Sequence, residues 1–380
     1  MSTYRFSFPT TVHFGPGTRN MVREHLQSQK FSKPLIVTDR GLAAIPFFQN
    51  WVKTLEPLNI KIFSEIWGNP TKSQVSSGVE SFKAHQADCI IGIGGGAALD
   101  VAKAIALMTT HPGDLFDYED EKPGARPIDG PIPYFIALPT TSGTGSEVGR
   151  SAVIADDKTH IKKIIFSPKL LAKAVFADPE FTLGLPGPIT AAVGMDALTH
   201  NVEAYLAKGY HPICDGIALE GVRLAAKYLV KAVNTPSDLE ARGGMMMSSM
   251  MGAIAFQKGL GLVHSCAHAL STVADTHHGL ANALMIDYAL KFNVNAVPER
   301  FKILAQTVGL ADATPQAFLR WLTELKAQTK IQPTLTAAGV KSSQIDELVR
   351  VATEDSCHLN NPTPVTSADF KKIFTEAFGS

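Results

Sequence analysis

ADCIIGIGGGAALDVAKAIALM, residues 87–108, decides how this chain is read. The run from Ala87 to Gly94 is short, apolar and closed by glycine. The residues after it place apolar side chains at helical spacing, so the stretch reads as strand, glycine turn and helix. Glycines at such a turn let the backbone approach a phosphate closely. The free N–H groups and the positive end of the helix dipole then face the negative charge. Gly92-Ile93-Gly94-Gly95-Gly96-Ala97 satisfies G-x-G-x-x-G/A, a pattern that is weak by itself and gains from its position between strand and helix.

Two further runs end in the same way: PLIVTD (Pro34–Asp39) and PYFIALPTT (Pro133–Thr141). Alternation of such runs with longer helical patterns from about Lys33 to Pro186 predicts a parallel sheet covered by helices, with ligands at the strand ends. An ordinary Rossmann unit carries its acidic residue about 20 residues after the glycine turn. Here the candidate, Asp39, comes well before it, so a Rossmann-like fold with a different strand order is expected. Asp39 suits an adenosine ribose and repels a 2′-phosphate, which favours NAD over NADP. Its neighbour Arg40 works against that preference, and a helix-capping role competes for the same side chain. The second turn, LPTTSGTGSEVG (Leu138–Gly149), offers hydroxyls and backbone donors, and Lys162 offers a cation.

The segment DPEFTLGLPGP (Asp178–Pro188), with three prolines and two glycines, is the expected boundary. It divides a dinucleotide-binding α/β domain, residues 1–185, from a helical metal-binding and substrate domain, residues 186–380. From Ile189 on the pattern is long amphipathic stretches with no convincing strand, so a mostly helical half is expected, and the methionine-rich Met245–Phe256 reads as a buried core helix. The loop Asp117–Gly130 reads as a surface excursion. Metal ligands need lone pairs converging from fixed positions, and i, i+4 on a helix supplies two from one face. Asp196/His200 and His264/His268 both have this spacing. Four of the 12 histidines fall within Val263–Gly279. One histidine alone is more often a core or surface residue; the cluster reverses that preference. Ser265 stands where a zincin protease carries its glutamate, which argues against that class. Imidazoles with one carboxylate suit Fe²⁺ or Zn²⁺.

Composition narrows the partners. Lys+Arg and Asp+Glu balance at 35 each, leaving no global field to hold nucleic acid or an anionic membrane surface. No apolar stretch approaches the roughly 18 residues of a membrane span. The four cysteines lack CxxC spacing, and a reducing cytoplasm is expected.

GMDALTHNVEAY (Gly194–Tyr205), GLGLVHSCAHAL (Gly259–Leu270) and HHGLANALMI (His277–Ile286), with the glycine turn upstream, resemble the iron-containing, or group III, alcohol dehydrogenases. The resemblance runs from FGPG near the N-terminus to Asn361-Pro362. It implies the dehydroquinate synthase-like fold of that family, a Rossmann-like α/β domain followed by an all-α domain. It also implies a metal held by Asp196, His200, His264 and His278, with His268 as proton relay beside nicotinamide and substrate. For the cofactor it implies Asp39, Asn69, Gly95, Gly96, Ala97, Thr140, Thr141 and Lys162, and for the substrate pocket Phe256, Cys357 and Ser151. Two positions depart from the family pattern. Ala97 stands for the usual serine and Gly149 for the usual threonine, each removing a side-chain contact to the cofactor.

The implied reaction interconverts a primary alcohol or diol and its aldehyde, with Fe²⁺ (or Zn²⁺) as Lewis acid and NAD exchanging a hydride. A homodimer or larger homo-oligomer is implied as well. One alternative is a dehydroquinate synthase-like NAD- and metal-dependent lyase. It calls for a basic cluster in the helical half that the sequence does not show. The other is a non-catalytic NAD-binding protein, for which no appended module argues.

Overall fold

The computed structural model describes residues 8, 10–120 and 122–379. They form two compact units, one of 8–141 with 145–182, the other of 183–379 with 142–144.

In the first unit, six strands form a parallel sheet: β1 (Thr11–Phe14), β2 (Pro34–Val37), β3 (Lys61–Phe63), β4 (Cys89–Gly94), β5 (Tyr134–Pro139) and β8 (Ala174–Ala177). Their spatial order is β1-β8-β5-β4-β2-β3. The chain leaves β2 towards β3 on one side and leaves β4 towards β5 on the other. The point where the winding reverses therefore lies between β2 and β4, paired Val37 to Gly92, and this is where open α/β sheets bind ligands. The order explains why the acidic residue precedes the glycine turn: Asp39 follows β2 and Gly95 follows β4, which are neighbours in the sheet. β4, CIIGIG, is buried along its whole length, as a near-continuous apolar run in a central parallel strand should be.

An antiparallel pair, β6 (Ser151–Ala155) and β7 (Lys162–Phe166), stands apart from the main sheet. The sequence reading left it out, treating Lys162 as a lone cation when it opens a strand. The expected surface excursion at Asp117–Gly130 is also partly anchored. The short 3-10 turn Leu115–Tyr118 buries Tyr118, whose hydroxyl donates to the Pro112 carbonyl at 2.5 Å.

The second unit is helical; all strands among the described residues precede Asp178. Its central helix, Gly187–Leu206, is buried continuously from Thr190 to Leu206, so it is enclosed on every face and lacks the solvent-facing side of an amphipathic helix. Around it pack the helices Pro212–Asn234, Leu239–Ala255 and His278–Asn293. Close packing is visible at Gly279, where an added Cβ would fall 2.5 Å from the Ala192 carbonyl oxygen. The methionine-rich helix puts Met245, Met246 and Met250 in the core. Asp196, His200 and Glu203 thus sit on a helix with almost no water to solvate them, and each requires a partner. No described helix is long and apolar enough to cross a membrane.

Candidate functional site

Asp196, His200 and Glu203 occupy positions i, i+4 and i+7 of the central helix, along one face. His264 and His268 lie on the helix Leu262–Val273, and His278 opens the helix His278–Asn293. The three helices bring Asp196, His200, His264 and His278 together, one ligand atom each, all within 4.8 Å of one another. From Asp196 Oδ1 the distances to Nε2 of His278, His200 and His264 are 3.5, 3.9 and 4.0 Å.

Those separations suit a metal better than direct contacts among the side chains. They are at or beyond the outer limit of a hydrogen bond. Donors bonded at about 2.0–2.2 Å to a shared tetrahedral ion would stand roughly 3.3–3.6 Å apart, so the Asp196–histidine pairs need close by only a few tenths of an ångström. Burial pushes His200 and His264 down to about 4, because the charged imidazolium loses its hydration. Both are neutral near pH 7, the form that offers a lone pair to a metal. A carboxylate donor beside two neutral imidazoles in a nearly dry interior is a donor set that a divalent cation would satisfy.

The surrounding shell orients these side chains. Glu203 accepts from the backbone N–H groups of Val263 (2.6 Å), Gly261 (3.1 Å) and His264 (3.2 Å), capping the start of the His264 helix. It also accepts from His264 Nδ1 at 2.6 Å, which fixes the tautomer and turns Nε2 towards Asp196. Burial pushes Glu203 up to about 7 against the lowering by those backbone donors. Asn282, one turn after His278, donates to Asp196 Oδ1 at 2.7 Å. Neither residue was singled out from sequence, although Glu203 continues the Asp196/His200 face and Asn282 repeats the i, i+4 spacing from His278.

His268 lies beside this cluster, its ring stacked on that of His278 at 5.2 Å between centroids, with the side chain 31 % exposed. Its Nδ1 is 2.7 Å from Asp355 Oδ2. Burial raises Asp355, but the charge and hydrogen bond of His268, with donors from Ser265 and Cys357, hold it well below the usual carboxylate range. Phe256 packs its ring 5.2 Å from that of His200, and Cys357 adjoins Asp355 through its backbone N–H at 2.9 Å. Cys266 is buried, and all four cysteines are free thiols.

In the α/β unit, the helix Gly96–Met108 starts at Gly95, leaving its first N–H groups free of intrahelical partners. Gly94 has φ +148°, and an added Cβ would lie 2.7 Å from Ala98 Cβ, so the turn needs glycine there. Asp39 caps its own short helix, its Oδ1 accepting from Leu42 N–H at 2.9 Å, while Oδ2 faces Gly94. Capping therefore uses one carboxylate oxygen and leaves the other facing the glycine turn. The guanidinium of Arg40 lies over the Trp67 ring, 3.8 Å from its centroid. Thr140 N–H donates to the Gly94 carbonyl at 3.0 Å, and Thr141 approaches Gly95, which draws the two turns together. Asn69 is exposed two residues after Trp67, and Lys162 is half-buried at the head of β7.

Behind the glycine turn lies a buried network that the sequence reading missed. Lys103 donates to Ser146 Oγ (2.7 Å) and to the Ser151 carbonyl (2.8 Å), and Ser146 Oγ donates to Asp100 (2.6 Å). Burial lowers Lys103 against the pull of Asp100 and Glu147, and pushes Glu147 up to about 7. Asp100 and Lys103, one turn apart on an otherwise apolar helix, were the available signal. Ser151, expected in the substrate pocket, contributes to this network through its backbone.

Comparison with known proteins places the chain. Residues 9–179 match the model of the iron-containing alcohol dehydrogenases, and residues 190–378 that of the C-terminal part of the same family. The chain is 35 % identical over 389 residues to 1,3-propanediol dehydrogenase of Citrobacter freundii, covering 99 % of each. A solved structure of a 1,3-propanediol oxidoreductase superposes with a TM-score of 0.93 at 33 % identity, over 99 % of this chain and 100 % of that one. Sulfoacetaldehyde reductase from Bifidobacterium kashiwanohense, solved in complex with NAD⁺, gives 0.90 at 27 % identity over 100 % of both. The chain belongs to the iron-containing alcohol dehydrogenase family and is an oxidoreductase interconverting alcohols and aldehydes.

Proposed function

We propose that this enzyme is an iron-dependent, NAD(H)-linked dehydrogenase of a primary alcohol or diol, with Zn²⁺ as a competing ion. The observation that carries the proposal is the convergence of one carboxylate and three imidazoles from three buried helices. Asp196, His200, His264 and His278 hold the metal, which when bound supplies Lewis-acid polarisation of a substrate oxygen. Glu203 and Asn282 keep the ligands aimed. Residues 186–380 form the metal and substrate domain and residues 1–185 the dinucleotide domain. There the free N–H groups of the helix start, with Gly95, Gly96 and Ala97, take the phosphates. Asn69, Thr140, Thr141 and Lys162 add polar contacts, and Asp39 Oδ2 receives the ribose hydroxyls, favouring NAD. His268, partly open to solvent, accepts the alcohol proton during oxidation and returns it during reduction. The chain works in the cytoplasm as a homodimer or larger assembly.

The test is NADH formation from a panel of short alcohols and diols, using protein reconstituted anaerobically with Fe²⁺ or Zn²⁺, beside Asp196→Ala. Metal-dependent turnover that vanishes in the variant supports the assignment. NAD binding without turnover of any alcohol or aldehyde, with either ion, overturns it.

A further inference from the structure

Asp355 is held more firmly than its position in the chain demands. It follows the helix Ile345–Glu354 directly, at the negative end of the helix dipole, where a carboxylate is disfavoured. Yet both of its oxygens are engaged. Oδ2 accepts from His268 Nδ1 at 2.7 Å; Oδ1 accepts from Ser265 Oγ at 2.7 Å and from the Cys357 N–H at 2.9 Å. Ser265 Oγ in turn accepts from the His358 N–H at 2.9 Å. Ser265 and His268 lie one turn apart on the same helix, so the carboxylate spans a single helical face and locks the ring between two anchors.

His268, Asp355 and Cys357 also lie close enough together to suggest a second metal site. The contacts argue otherwise. Three hydrogen bonds already use the carboxylate, and burial with the Asp355 charge raises the Cys357 thiol well above its ordinary value, which withholds the thiolate a metal would need.

We propose that Asp355 is a positioning residue: it keeps the His268 proton on Nδ1, leaving the Nε2 lone pair as the acceptor of the substrate proton. In the oxidative direction the alcohol O–H bond breaks and its proton passes to Nε2. The electron pair closes the C=O bond as the carbon's hydride leaves to the oxidised dinucleotide. The resulting imidazolium is stabilised by the Asp355 charge on its far side. In the other tautomer Nε2 would carry a proton already and could accept nothing. The proposal rests on His268 as the proton acceptor.

The experiment compares wild type, His268→Ala, Asp355→Asn and Ser265→Ala, all loaded with Zn²⁺ so that ¹⁵N-histidine NMR can be recorded. The His268→Ala spectrum identifies the His268 signals. Wild type is expected to show the Nδ1–H tautomer and Asp355→Asn a mixture. In that variant kcat should fall roughly 10–100-fold, with metal content unchanged and the dinucleotide KM within about twofold. Ser265→Ala should show the same signature more weakly, and it carries the test if Asp355→Asn does not fold. Wild-type turnover in His268→Ala removes the acceptor itself. A slow His268→Ala beside an Asp355→Asn with an unchanged tautomer, undiminished kcat or lost metal overturns the positioning role alone.

Discussion

The two units solve their binding problems with different materials. At the glycine turn the proposed donors are backbone N–H groups at a helix start, and side chains mainly keep out of the way. At the candidate metal cluster every donor would be a side chain, two of them on a helix buried nearly throughout, and the backbone's task would be to hold three helices at a fixed spacing. The first arrangement tolerates side-chain changes, provided the turn keeps its shape. The second depends on each individual residue. The two departures from the family pattern, Ala97 and Gly149, both fall in the backbone-built region.

The largest expected effect follows from this contrast. Asp196→Ala removes the only carboxylate among the four donors, and bound metal should fall below about a tenth of an equivalent per chain. Turnover should drop by on the order of 10³-fold or more, the loss of several kcal/mol of Lewis-acid stabilisation. Dinucleotide affinity should stay within about twofold. Metal analysis beside fluorescence titration with NADH checks both halves. Loss of both functions together would show that the two regions are not separable.

The α/β unit does contain one demanding side chain, and pH exposes it. Glu147 is buried, and its carboxyl rises from an ordinary 4.5 to about 7, so the folded state binds a proton that the unfolded chain has lost. Between those values the unfolded state binds fewer protons than the folded one. Stability from this group is therefore complete below about 4.5 and is lost as pH rises through about 7. The full swing corresponds to about 3 kcal/mol, an upper figure because Lys103 lies near. Glu147→Gln, which stays neutral, should flatten the decline of the urea midpoint between pH 4.5 and 7. An unchanged slope would place the ionisation elsewhere.

Asn282→Ala tests whether the metal cluster depends on a residue that is not a ligand. The variant frees Asp196 Oδ1 from its 2.7 Å donor. Metal affinity should fall roughly 10–100-fold, as for other groups that orient ligands. Competition with a metal chelator measures it, and an unaltered affinity would mean that helix packing alone aims the carboxylate.

These contrasts also explain what the sequence made readable. Helical periodicity carries chemistry to the surface of the sequence, so Asp196, His200, His264 and His268 could be paired by spacing. A glycine turn between a strand and a helix is equally local. Asp355 is not local, because its partners Ser265 and His268 lie 90 and 87 residues away and no period links them. The β6–β7 pair escaped because each strand is only five residues long and the sequence between carries charge without a glycine signal. The reversed order of acid and glycine became intelligible only from the sheet, where β2 and β4 lie side by side.

Ala97→Ser is the smallest change and the sharpest probe of the backbone-built region. Residue 97 is the second of the helix, where the backbone N–H points out of the helix start whatever the side chain. Restoring a hydroxyl adds at most one hydrogen bond to a charged phosphate, about 1.5–3 kcal/mol at most, so dinucleotide affinity should rise by no more than roughly 150-fold. Turnover at saturating dinucleotide should be unchanged, because the contact is made equally in ground and transition states. If titration instead shows tightening by three orders of magnitude, side chains dominate this turn too, and the distinction between the two units fails on the side where it predicts tolerance.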